Sequence, residues 1–387
     1  MLDKDKALGS GIYIHIPFCK SRCLYCGFYS TVGTSLRQKY VEAVCCEMRL
    51  RPVSRPLTLY LGGGTPSQLS DTQLTLLFET LQEVYGQYWY YHEGKPIEVT
   101  IECNPDDVDD EFTALLQRLP INRVSMGVQT FNDSRLRFLH RRHNSTQATE
   151  AVKRLRNAGI NNLSIDLMFG FPNETADEWI DDIDKALALD VEHLSAYCLM
   201  YEEGTPLRRM LDAGELSEID EDTYIIMYDT LVERLRENGY EHYEISNFAR
   251  PGYRSRHNSS YWDGTHYIGL GAAAHSYDGE KRYWNIADVQ AYIHSLGKGI
   301  IPSESEEIDL STRFNDLITT RLRTCEGIDL RQLRAKYGEF FYDYLLKNSK
   351  QMIAHGWMAL ENGHLRLTLE GIHVSDTVMG ELVYIED

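Results

Sequence analysis

Ile12–Ser30 reads IYIHIPFCKSRCLYCGFYS. A β-type apolar run, Ile12–Ile16, is stopped by Pro17 and delivers a loop carrying Cys19, Cys23 and Cys26. The spacing is C-x3-C-x2-C. Three thiolates on one loop suit three corners of an iron–sulfur cube and leave the fourth iron without a protein ligand. Ordinary electron-transfer clusters are fully ligated by Cys, so an open iron marks a place where something else binds. The competing readings are plain reduced thiols or a zinc site. A structural zinc takes four protein ligands, usually from paired C-x2-C units. This chain has one such unit here and no second pair, which favours the cluster.

Downstream, strand-like runs alternate with helical ones. A helical pattern covers Ser35–Arg51, then Leu57–Leu61 reads as a strand ending in Gly62-Gly63-Gly64-Thr65-Pro66. Three glycines after a strand let a ligand approach the backbone closely, and the helix Asp71–Tyr85 follows. Ile97–Ile101 runs into Glu102-Cys103-Asn104-Pro105 and a helix near Asp110–Leu119. Arg123–Val128 ends at Gln129; helical stretches follow at Ser134–Leu139 and Ser145–Ala158, stopped by Gly159. Leu163–Met168 contains Asp166, Ala176–Leu189 is helical, and His193–Leu199 is a sixth strand. Six strand–loop–helix units in series imply a parallel sheet covered by helices. The Cys loop, the glycine loop, Glu102, Gln129, Asp166 and Tyr197 all sit at the C-terminal ends of strands, where (β/α) barrels place their sites. The expected fold class is therefore α/β, a partial, TIM-like (β/α)6 barrel over about residues 10–200.

Met200–Glu221 reads as a linker, Thr223–Glu237 as a helix and Tyr240–Phe248 as a strand. Arg254–Trp262, RSRHNSSYW, follows near that strand. In Tyr267–His275 the small residues GLGAAA signal tight packing against a ligand or against another backbone. From about Ser303 the pattern turns to short helices: Thr312–Leu322, Leu330–Tyr337 and Tyr342–His355. A hairpin then turns at Asn362-Gly363. Helices followed by a wing-like hairpin are similar to a winged-helix module. The expected organisation is 1–220 for the barrel, 221–300 for an extension and 301–387 for a small helical, winged-helix-like domain.

The chain has 387 residues and a formal net charge of −19. Nucleic-acid binding needs a basic footprint, so that partner class is excluded, and the C-terminal module is read as a structural or protein-contact domain. No apolar run reaches membrane-spanning length, and MLDKDKALGS has no hydrophobic signal segment. The expectation is a cytoplasmic protein without direct membrane insertion. Cys45, Cys46, Cys103, Cys198 and Cys325 then read as reduced thiols.

With Tyr25 before its last Cys, the cluster motif resembles that of the radical S-adenosylmethionine (SAM) superfamily, whose members complete the 4Fe–4S cluster with the amino and carboxylate groups of SAM. Tyr13-x-His15-x-Pro17-Phe18-Cys19, GGGTP, ECNP, GVQTF and IDLMFGFP together resemble the oxygen-independent coproporphyrinogen III oxidase group, over about residues 11–380. By position in these motifs, the resemblance implies SAM contacts from Tyr13, Gly63, Gly64, Thr65, Glu102, Gln129, Arg141 and Asp166. Glu102 and Asp166 would accept from ribose hydroxyls or the ammonium group, while Gln129 and Arg141 would bond the carboxylate.

That group divides in two. The oxidases carry a fourth Cys, C-x3-C-x2-C-x-C, and a longer segment before the cluster. Here Phe28 stands at the fourth position and eighteen residues precede Cys19. Haem chaperones of the HemW type carry H-N-x-x-Y-W, matched by His257-Asn258-Ser259-Ser260-Tyr261-Trp262. The resemblance implies a haem chaperone with His257 as an axial haem ligand, aromatic rings against the macrocycle, and Arg254 or Arg256 on the propionates. The haem would pass to an acceptor protein, such as a membrane haem enzyme. The alternative is the oxidase itself, decarboxylating propionates by radical chemistry. A third reading is radical-SAM chemistry on an unrelated substrate.

Overall fold

Six strand–helix units build the core, in the order expected. The strands are β1 (Ser10–Ile16), β2 (Pro56–Gly63), β3 (Glu98–Cys103), β4 (Arg123–Gln129), β5 (Leu163–Phe169) and β6 (His193–Cys198). The structure is a computed structural model that describes residues 9–53, 55–87 and 89–386. Each of the six strands pairs in parallel with its sequence neighbour. Alternate residues divide the two faces. Ile12, Ile14, Leu59, Leu61, Val99, Ile101, Val124 and Ile165 are buried in the apolar layer under the helices. The intervening positions (Tyr13, Tyr60, Thr100, Glu102, Ser125, Asp166, Ser195) are polar or phenolic. Parallel strands are covered on both faces. The helices supply an apolar cover outside, and the barrel interior holds a polar filling.

The covering helices start where their sequences say. Ser70 with Gln73, Asn144 with Gln147 and Thr175 with Glu178 each form a reciprocal capping box, which satisfies two otherwise orphaned N–H groups per helix.

The parallel sheet is wider than the six expected strands. β7 (Glu241–Glu244) and β8 (Asn247–Ala249) form a hairpin, the turn interrupting the single strand expected over Tyr240–Phe248, and β8 runs antiparallel to β6. At the other edge β9 (Tyr267–Leu270) pairs in parallel with β1, as a seventh parallel strand. β10 (His275–Tyr277), β11 (Lys281–Asn285) and β12 (Ser303–Glu307) continue the sheet antiparallel. The order is β7-β8-β6-β5-β4-β3-β2-β1-β9-β10-β11-β12. Ser303–Glu307 is thus an edge strand rather than the start of the helical region. The small residues in and after β9 serve packing: a Cβ on Gly269 would lie 2.1 Å from the His275 carbonyl oxygen. The expected linker contains the helix Pro206–Asp212, capped by Thr205.

Residues 227–296 contribute Met227, Leu231, Phe248 and Tyr292 to the barrel's own core, whereas Phe314 to Leu382 form a separate one. That second unit holds helix Leu310–Arg321, the run Leu330–Ala354 broken at Gly338, and the hairpin Met358–Glu361/His364–Leu367. Asn362 and Gly363 both take positive φ at its turn, as a tight hairpin of this kind requires. Among the described residues no helix is long and apolar enough to cross a membrane.

Candidate functional site

At the C-terminal ends of the barrel strands lies a cavity of about 260 Å3, and the Cys loop forms part of its wall. Phe18–Cys19 pairs with Thr31–Val32, which closes the loop at its base. The Leu24 N–H donates to the Leu139 carbonyl at 3.3 Å, and the Leu24 carbonyl accepts from Leu207 N–H at 3.1 Å. Leu24 and Tyr25 pack on the apolar cluster of Leu139, Phe171, Leu199 and Leu207. Held in this way, Cys19, Cys23 and Cys26 all face the one cavity, half-buried and in no disulfide. Burial raises the Cys19 and Cys26 thiols above their ordinary range. Thr65 Oγ1 donates to Cys19 Sγ and Arg141 Nη1 to Cys23 Sγ, both at 3.6 Å. Among the described residues no three His, Cys, Asp or Glu groups converge on one metal ion. A cube spreads its three thiolates over three irons, an arrangement that three cysteines on one loop fit.

The glycine loop seats the Cys loop. The Gly64 N–H donates to the Ile16 carbonyl at 2.8 Å, and a Cβ on Gly64 would meet Ile16 O, Pro17 C and Phe18 N at 2.8–2.9 Å. Gly63 has φ +109, and a Cβ there would strike the His15 ring at 2.4 Å. Both glycines line the cavity, yet what demands glycine is the close approach of β1 and the loop after it. Gly63 N–H donates to Glu102 Oε2 at 3.1 Å, and Tyr60 Oη donates to Glu102 Oε1 at 2.8 Å. Burial, reinforced by Asp166, nevertheless raises the Glu102 carboxyl to about 7. Asp166 is also raised by burial. The two carboxyls line the same wall and share little solvent.

Arg141 crosses the mouth. Its Nη2 donates to the Gly127 carbonyl at 2.5 Å and to Asn104 Oδ1 at 2.6 Å. Asn104 Nδ2 in turn donates to Thr65 Oγ1 at 3.3 Å. Gln129 takes φ +71 beside a register shift between β4 and β5, a bulge that re-aims a strand end. Thr65, Glu102, Gln129, Arg141, Asp166 and the three cysteines thus meet around one cavity.

Two expected site residues lie elsewhere. Tyr13 is outside the cavity wall: its ring packs beside the Tyr60–His257 pair, 6.2 Å from Tyr60 and 6.3 Å from His257, with Oη 3.0 Å from His15 Nδ1. His257 sits on a helix, Arg256–Asp263, capped by Ser255. Its ring is fully buried against the first residues of the barrel strands. Nδ1 lies 2.8 Å from Thr58 Oγ1 and Nε2 lies 2.9 Å from Tyr261 Oη. Glu98 accepts the backbone N–H groups of Arg256 and His257, each at 2.9 Å. Burial, with Arg123 nearby, lowers the imidazole to about 3. This neutral ring has both nitrogens engaged and plugs the barrel end opposite the Cys loop. Arg254, a candidate for propionates, is paired with Glu241 at 3.0 Å and Glu326 at 2.5 Å; Arg256 remains exposed.

Sequence reasoning passed over Asn104, Tyr60, Ser125 and Ser195 as site residues, although all four line the cavity. For Tyr60, Ser125 and Ser195 the signal is the polar residue at every second position of an otherwise apolar strand; Asn104 follows the end of β3.

Barrel, Cys loop and carboxylate wall define the class: this is a radical-SAM protein. The sequence profile of the Radical SAM superfamily matches residues 13–186, and that of the HemN C-terminal domain matches residues 308–374. The chain is 32% identical to the "Heme chaperone HemW" of Lactococcus lactis, over 95% of each chain. It is also 32% identical to the protein of that name from Bacillus subtilis, covering 95% of this chain and 97% of that one. Among solved structures, the coproporphyrinogen III oxidase HemN of Escherichia coli superposes with a TM-score of 0.83 at 20% identity, over 98% of this chain and 91% of that chain. The last shares the fold. The chain belongs to the HemW family.

Proposed function

We propose that the protein is a haem chaperone that carries a 4Fe–4S cluster and SAM in the barrel mouth and hands haem to an acceptor protein. The observation that carries this reading is the full-length similarity to proteins named as heme chaperones, in a chain with Phe28 where the oxidase pattern has its fourth Cys. Cys19, Cys23 and Cys26 would hold the cluster, and Gly63, Gly64, Thr65, Glu102, Gln129, Arg141 and Asp166 would hold SAM. Cluster and SAM together supply one-electron chemistry at the open iron. The chain's own groups bind and orient. Arg141 presents a cation beside Cys23, Glu102 and Asp166 present acceptors, and the half-buried loop limits water at the thiolates. Haem is cargo, and His257 is its proposed ligand once the motif helix frees the ring.

The reading is tested by supplying cluster-reconstituted protein, under anaerobic conditions, with SAM, a reductant and coproporphyrinogen III, and measuring released CO2. The chaperone reading expects no CO2 above a cluster-free control, while haem offered in parallel stays with the protein through gel filtration. Multiple turnovers of CO2 release would establish the oxidase instead.

A further inference from the structure

A second cavity lies on the far side of the motif helix. It has a volume of about 380 Å3 and is lined by residues of both the motif helix and helix Leu310–Arg321 of the C-terminal unit, which pack against each other. Tyr261, Trp262, Tyr267, Tyr277 and Tyr337 line it with rings. Tyr261 meets Tyr267 edge-on at 4.7 Å, and Tyr267 lies 6.2 Å from Tyr277.

The charges around this cavity are unusual for so acidic a chain. Of its acids, Asp316 is paired with Arg282, and Asp263 accepts from the N–H and Oγ1 of Thr265. Arg313, Arg321 and Lys336 also line it, and among the described residues none of the three has a carboxylate within ion-pair distance. Arg313 Nε and Arg321 Nε each donate to a backbone carbonyl, leaving the rest of each guanidinium fork available. Lys336 Nζ rests 5.5 Å from the Tyr337 ring centre. In a protein of net charge −19, three unpaired cations beside five rings select a flat, apolar ligand that carries carboxylates.

The wall between this cavity and His257 is one side chain. Tyr261 lines the cavity with its ring, and its Oη lies 2.9 Å from His257 Nε2. The phenol therefore holds the nitrogen at which an iron would bind.

We propose that this cavity docks the tetrapyrrole, with Trp262, Tyr277 and Tyr337 against the macrocycle, Arg313 and Lys336 on its carboxylates, and Tyr261 as the gate to His257. The assignment rests on the haem-chaperone reading and adds the place, the charge partners and the gate.

Metal-free protoporphyrin IX separates docking from iron ligation, because it keeps the ring and both propionates and has no iron. Its fluorescence is titrated with the full-length, cluster-reconstituted protein, beside haem. Arg313→Ala/Lys336→Ala should weaken protoporphyrin binding by about a hundredfold, since each lost charged contact is worth about a factor of ten. The same variant should flatten the salt dependence of binding. His257→Ala should alter the haem spectrum, because it removes the proposed iron ligand. Tyr261→Phe should speed the appearance of the His-ligated haem spectrum. Lys336→Glu, at an exposed position, provides a second variant with little risk to folding and the same expected direction. If wild-type protein binds haem but the charge variants bind protoporphyrin as it does, the docking assignment is wrong and the chaperone reading stands. If wild-type protein binds no tetrapyrrole, both fall.

Discussion

Glu102 is the side chain whose chemistry is most exposed to test. Its carboxyl is raised to about 7 by burial and by Asp166, against the pull of Tyr60 and Gly63. Below that pH it is protonated and loses acceptor strength toward the ammonium or ribose hydroxyls of SAM. SAM affinity should therefore rise as pH increases through about 7. Glu102→Gln should bind more weakly and without that step, as read by equilibrium dialysis from pH 6 to 8. The cysteines give a simpler outcome. Cys19→Ala, Cys23→Ala or Cys26→Ala should each abolish the reconstituted iron and sulfide load, and a variant that keeps it would remove that thiol from the ligand set. Gly64 is different from the simple ligand-contact loop its sequence suggests. A Cβ there would press on the backbone of Ile16–Phe18 at 2.8–2.9 Å, directly before Cys19. Gly64→Val should therefore lower cluster occupancy as well as SAM affinity. Cluster content equal to wild type would contradict the packing argument.

The motif helix is the element that the sequence concealed. The helices over the barrel announce themselves by caps and apolar periodicity, and the strands by short apolar runs, so both were legible from local pattern. Arg256–Asp263 is a short, polar helix. Its position depends on Glu98, more than 150 residues earlier, and on Thr58 at the start of β2. The sequence placed His257 near a strand and did not show the helix that buries its ring. The seventh parallel strand was hidden for a similar reason, since only pairing with β1 reveals it. The buried ring has a measurable consequence. His257 sits at about 3 in the folded state and near 6.5 when unfolded, so between these values the unfolded chain binds the extra proton. The stabilisation from the neutral ring is complete above about 6.5 and is lost as pH falls toward 3. Glu102 and Glu174, both raised to about 7, act in the opposite sense, so the effect is read as a difference. The stability gap between wild type and His257→Gln should shrink as pH drops from 7 to 4.5, by at most about 1.4 kcal/mol per pH unit. A gap independent of pH would place the ring in water.

The whole molecule has its two cavities on opposite sides of the buried His257–Tyr60–Glu102 column. Tyr60 stacks on His257 at 5.1 Å and donates to Glu102 at 2.8 Å, so the ring that would ligate haem leans on the side chain that holds a SAM-pocket carboxylate. Neither cavity can be read from one stretch of sequence. The first gathers residues from the ends of six strands, and the second exists only where the C-terminal unit meets the motif helix. What sequence did convey was that the Cys loop, Gly63–Thr65, Glu102, Gln129, Arg141 and Asp166 share one cavity, though not Tyr60, Asn104, Ser125 or Ser195, and the family to which the chain belongs. The most direct test of the haem-chaperone account is an anaerobic haem titration of cluster-reconstituted protein, followed in the Soret region beside His257→Ala. The account predicts saturation near one haem per chain, with a spectrum that changes in the variant. A linear, unsaturable rise in absorbance, identical in both proteins, would contradict it.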